Sequence, residues 1–145
     1  MIKFIERTFP LANVNFALLV LRMGVSLMML THGYPKLLRL FSEEPITFTA
    51  ILGLSATVSL ALAVFAEFLC SLLIFFGVGT RLASIPLIVT MLVAAFYAHA
   101  DDPFSRKEKA LLFLLIYVVL LFTGGGKYSI DHYFLGRKKK RKRMR

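Results

Sequence analysis

The 145-residue chain holds one cysteine, no tryptophan and only 8 acidic residues. A lone Cys70 excludes an intrachain disulfide and a Cys-x-x-Cys redox relay, and its simplest reading is a small buried apolar side chain. There is no Cys-x-x-Cys-His for haem, no cysteine set for an iron–sulfur cluster and no glycine fingerprint for a nucleotide. Charged residues of both signs make up 18% of the chain, against about a quarter in an ordinary soluble domain. What replaces them is apolar: 58% of residues are hydrophobic and the mean hydropathy is +0.74. That balance excludes disorder, which needs low hydrophobicity with high charge.

The formal charge is nevertheless +10. Eight of the 18 basic residues are Arg137, Lys138, Lys139, Lys140, Arg141, Lys142, Arg143 and Arg145, in a tail without a single acid; removing them leaves +2. Basic runs of this kind can bind nucleic acid, but the body has no second basic patch and no soluble helix to enter a groove. A juxtamembrane cation cluster that stays cytoplasmic and touches anionic lipid accounts for the tail better, so the lipid bilayer is the expected partner and nucleic acid is not.

Four apolar stretches predict an all-α integral membrane four-helix bundle, with spans at about 11–34, 46–79, 82–100 and 108–125 in one domain of residues 1–136, followed by the basic cytoplasmic tail 137–145. A hydrocarbon core about 30 Å thick takes around 20 helical residues. The second stretch is too long for a straight pass, so its early part, from Phe48 to about Ser55, is expected to lie along the interface or to tilt the helix. No cleavable signal pattern opens the chain, because Arg22 interrupts the first apolar run; that run should remain as an anchor. Four crossings put both termini on one side, and the tail assigns that side to the cytoplasm of an inner membrane. Lys3, Arg7, Arg81 and Lys127 then lie inside, and Lys36, Arg39, Arg106, Lys107 and Lys109 outside.

The polar residues inside this apolar body carry the functional signal, since an ionisable group at the centre of a bilayer costs roughly 3 kcal/mol or more unless paired. At about 1.5 Å per residue, Arg22 and Glu67 both fall near the midplane of their spans. They are therefore expected to meet as a buried pair, which either fixes helix register or clamps a polar ligand group. A second set, His32, Lys36, His99 and Glu108, gathers at the outer end. It reads as a proton-handling or headgroup-binding site, because imidazole titrates near neutrality at the depth of a quinone ring, or as ordinary interfacial polar residues. Lys36 shares the face of His32 if the helix runs on past Pro35. These groups come from three helices with no enforced spacing, so a metal site lacks support. A third set is cytoplasmic: Thr80 is the expected N-cap of the third span, and Arg81 in its first turn needs an anion, for which Asp131 is the candidate. That pair reads as a staple between helix ends more readily than as a binding site. Fourteen Phe and five Tyr fit lipid-facing and interfacial packing. Gly24, Ser26, Gly77 and Gly79 permit close helix approach, within one chain or in a homo-oligomer.

In order and spacing these residues resemble the DoxX family of small four-helix membrane proteins over about Asn15 to Phe134. The resemblance rests on Arg22 followed by His32-Gly33 and Lys36, on Ala66-Glu67, on Gly77-Val78-Gly79-Thr80-Arg81-Leu82-Ala83, on Glu108, and on the glycine turn before Tyr128-Ser129-Ile130-Asp131. It implies a four-helix bundle and a link to quinone-coupled thiosulfate or sulfur oxidation, or to oxidative-stress complexes in the membrane. The basic tail is not part of the family pattern. Two functions follow from residues and resemblance together. One is an accessory, quinone-interacting subunit of a membrane redox process, whose electrons a partner redox subunit handles. The alternative is a noncatalytic protein that binds a lipid or small molecule or scaffolds a partner.

Overall fold

The computed structural model describes residues 11–134, with side chains from Asn13 onward. The basic tail, Lys3 and Arg7 lie outside them. Among the described residues the regular structure is entirely helical. Helix α1 spans Leu11–Leu40, α2 Ala56–Phe76, α3 Thr80–Ala98 and α4 Phe104–Thr123. A short helical turn at 130–134 follows the glycine segment.

Several boundaries differ from those expected. Helix α1 continues six residues past Tyr34 with Pro35 inside it, which brings Lys36 onto the face of His32. The second apolar run is not helical from residue 46: residues 45–55 form a loop, and α2 begins at Ala56 after Ser55, whose side chain accepts the Val58 N–H. A serine cap outweighs apolarity here, because the first helical N–H groups need an acceptor that the preceding apolar residues cannot supply. Ser59 holds the loop to α2 by accepting the Ile51 N–H at 3.1 Å. Helix α3 starts and ends two residues earlier than expected, and α4 starts four residues earlier and ends two earlier.

Both α2 and α3 contain a π-helical stretch, Phe65–Cys70 and Ala94–Ala98. Such segments shift the face of a helix by about one residue and occur frequently at functional sites. At Gly77 and Gly79 the backbone is left-handed, with φ of 71° and 56°, and this reverses the chain between α2 and α3 within three residues.

Helix α3 packs most extensively against α4, α1 lies along α2, and α2 also packs against α3. The core between them includes Val25, Met29, Ile74, Leu87, Met91 and Leu120. The outside is apolar as well: Leu82 is 75% exposed and Phe122 74%, which is how a lipid-facing surface differs from a soluble one. Helices α1 from Asn13, α2 and α3 are long and apolar enough to cross a membrane. Helix α4 carries Arg106, Lys107, Glu108 and Lys109 near its start, leaving an apolar stretch from Ala110 to Thr123 of about 21 Å.

Candidate functional site

Glu67 sits in the π-helical stretch of α2 with its side chain 4% exposed, and Lys36 of α1 reaches it at 2.5 Å between Nζ and Oε1. The contact depends on close approach of α1 to α2 at Gly33, where a Cβ would stand 2.7 Å from the backbone carbon and oxygen of Glu67. Only glycine fits there, which gives the Gly33 of the His32-Gly33 pair its physical role. Lys36 is 31% exposed, and its ammonium lies 6.0 Å from the centre of the Phe48 ring in the 45–55 loop. The second Glu67 oxygen, Oε2, is buried with no hydrogen-bond partner among the described residues.

Around this pair lies a cavity of about 160 Å³, walled by His32, Lys36, Glu67, His99, Arg106 and Lys109 together with apolar Met29, Met91 and Phe113. His32 meets Phe113 edge to face at 6.1 Å. His99 ends the π-helical stretch of α3, and its Nδ1 lies 2.6 Å from Asp102 Oδ2. The hydrogen bond from His99, with Arg106 nearby, holds the Asp102 carboxyl below the usual carboxylate range. A second, apolar hollow of about 480 Å³ shares His32, Lys109 and Phe113 with the cavity and runs along Met28, Leu112 and Ile116. The pair of spaces is therefore polar at one end and greasy along the other, with one common wall.

Three expected partnerships change. Arg22 and Glu67 are both buried, but they do not bond to each other. The Arg22 guanidinium donates to the carbonyls of Ile74 at 3.3 Å, Phe75 at 3.2 Å and Tyr128 at 2.6 Å. The last carbonyls of a helix lack intrahelical partners, so the end of α2 offers the cation a better site than a carboxylate two turns away along α2. Gly77 leaves the room, since a Cβ there would overlap the guanidinium.

Asp131 and Arg81 likewise serve separate helix ends. The Asp131 carboxylate accepts the N–H groups of Gly79 at 2.8 Å and Thr80 at 3.2 Å, while Arg81 donates to the Phe122 carbonyl at 3.1 Å. Each charge thus faces the helix terminus of opposite partial charge. Gly79, not Thr80, occupies the N-cap position of α3. Finally, Glu108 is exposed and lines neither space, whereas Ala110 and Phe113 of α4 are buried against the cavity and Arg106 and Lys109, though exposed, border it. That i, i+3, i+4, i+7 spacing was the signal that could have identified Arg106 and Lys109. Tyr117, one turn further along, continues the same stripe, four residues after Phe113 and seven after Ala110. Its hydroxyl is buried near Ser71 and Glu67 without a hydrogen bond of ordinary length.

Comparison with known proteins gives two positive findings. The DoxX family profile matches residues 17–100, which contain α2, α3 and most of α1. A protein of Haemophilus influenzae, described as an uncharacterized protein, is 32% identical over 126 residues, covering 82% of this chain and 91% of its own length. No solved structure matches.

Proposed function

The chain belongs to the DoxX family of membrane proteins, and we propose that it is an accessory, quinone-interacting component of a membrane redox process such as thiosulfate or sulfur oxidation or an oxidative-stress complex. The observation that carries this reading is the wall shared by the polar cavity and the apolar hollow at His32, Lys109 and Phe113. A quinone has a flat ring with two polar oxygens and a long apolar tail, and this pair of spaces suits both parts. Lys36, His32 and His99 can donate hydrogen bonds to ring oxygens, and Phe113 offers an aromatic wall. Glu67 holds Lys36 in place and is the carboxylate able to take a proton from a ring hydroxyl. Arg22, engaged by carbonyls, has no part in the site. No haem, nucleotide or cluster motif is present, so a partner subunit handles the electrons.

In the same reading α4 is a fourth crossing, with its cationic start at the outer face and both termini in the cytoplasm. Its packing along α3 supports this, as does the basic tail. The test is quinone content after purification into nanodiscs that contain quinone. Retention above that of the bilayer alone, lost several-fold in Glu67→Gln and Lys36→Met, supports the site. Label from a photoreactive quinone should fall on 28–36 and 109–116; label confined to other residues refutes it. The noncatalytic reading draws its support from Arg106 and Lys109, whose charge suits an anionic lipid head. Phospholipid whose retention falls in Arg106→Gln and Lys109→Gln, with no quinone retained, would favour it.

A further inference from the structure

At the opposite end of the molecule from the Lys36–Glu67 pair, we propose a second binding site, for the phosphodiester headgroup of an anionic phospholipid. A cavity of about 610 Å³ opens where α3 begins and α4 ends, lined by Arg81, Gly124, Gly125, Lys127, Asp131 and His132, among others. Its lining sets two cations, Arg81 and Lys127, against one carboxylate, Asp131. The carboxylate of Asp131 is occupied by the Gly79 and Thr80 N–H groups. Arg81 spends one guanidinium nitrogen on the Phe122 carbonyl, and the Lys127 ammonium has no partner among the described residues.

Behind the glycine wall lie two buried groups that do not themselves line the cavity. The Thr80 hydroxyl has no hydrogen-bond partner among the described residues and comes within 2.8 Å of where a Gly125 Cβ would stand. The Arg22 guanidinium, packed against Gly77 and bonded to the Tyr128 carbonyl, keeps its Nε unpartnered among them. An anion is the ligand that such a cavity recognises.

The surroundings decide between a free anion and a lipid. From the cavity mouth the exposed side chains of Leu82, Ile85 and Val89 descend along α3, and Phe122 and Val119 descend along α4. A headgroup at the glycine turn therefore has an apolar track for its acyl chains, which inorganic phosphate does not need. In the sequence the eight cations of 137–145 follow within a few residues of the cavity wall, and such a cluster draws anionic lipid to its surface.

The test is native mass spectrometry of the full chain purified with mixed phosphatidylglycerol and phosphatidylcholine. One phosphatidylglycerol per chain is expected to survive delipidation, and each of Lys127→Gln and Arg81→Gln should lower its retention roughly fivefold. Lys127 is exposed, so that variant probes binding without disturbing the fold. Unchanged retention in Lys127→Gln, equal retention of phosphatidylcholine, or displacement by millimolar inorganic phosphate would each overturn the proposal. Quinone retention at the other end is read separately, so the two sites stand or fall independently.

Discussion

Removing either partner of the Lys36–Glu67 pair should have unequal consequences. Lys36→Met leaves a carboxylate that is 4% exposed with no cation and with an oxygen that already lacks a partner. Stripping one partner from a buried pair costs about 3–5 kcal/mol, and the lower end applies where the lost partner was partly exposed. Glu67→Gln is milder. The introduced amide keeps a carbonyl acceptor, and a lysine that is 31% exposed can turn its ammonium toward water, so the loss is about 1 kcal/mol, that of one hydrogen bond. The double variant Lys36→Met with Glu67→Gln contains no stranded charge and should recover about 2 kcal/mol of the Lys36→Met deficit. Equilibrium unfolding in mixed detergent micelles, followed by helical circular dichroism, measures all three. Equal losses for the two single variants, or a double variant no better than Lys36→Met, would refute the assignment of Glu67 as the buried charge and Lys36 as its exchangeable partner.

Other sites give sharper yes-or-no results. Gly33→Ala puts a Cβ 2.7 Å from backbone atoms that cannot yield, so α1 should shift from α2 at a cost of about 1–3 kcal/mol, visible as lost quinone retention and lower stability together. Asp131→Ala removes acceptors for two N–H groups at the start of α3 and should cost about 1–2 kcal/mol, whereas Asp131→Asn should cost less, since its one oxygen still accepts. The Asp102 carboxyl is held below its usual range chiefly by His99. The stability it contributes is therefore present above about pH 3.9, its unfolded value, and lost as the pH falls through the lowered native value. Asp102→Asn should flatten the acid limb of the stability curve in that window, and an unchanged limb would show that the His99 contact contributes nothing.

Arg22 and Glu67 show how far the primary structure can be read. Counting residues from the ends of apolar runs indicated that both would lie inside the body, and both are buried. Their mutual pairing could not be read in this way. The carbonyls at the end of α2 and the lysine beyond Pro35 were competitors that no spacing advertised. The same holds for Arg81 and Asp131, which are close in the fold yet face different helix ends.

The physical division follows from helix geometry. Position along an axis is a linear function of residue number, about 1.5 Å each, so the chain alone determined the helical class, the apolar segments and which charges would be hidden among them. Neighbour choice depends on rotation about the axis, on register between helices and on where their ends are capped. The π-helical stretch carrying Glu67 resets its face, Gly33 sets the approach of α1, and the Ile74 and Phe75 carbonyls at the end of α2 draw in Arg22. Those are contacts between segments far apart in the chain, and only the tertiary structure decided that Glu67 belongs with Lys36 and the histidines while Arg22 caps the helix beside it.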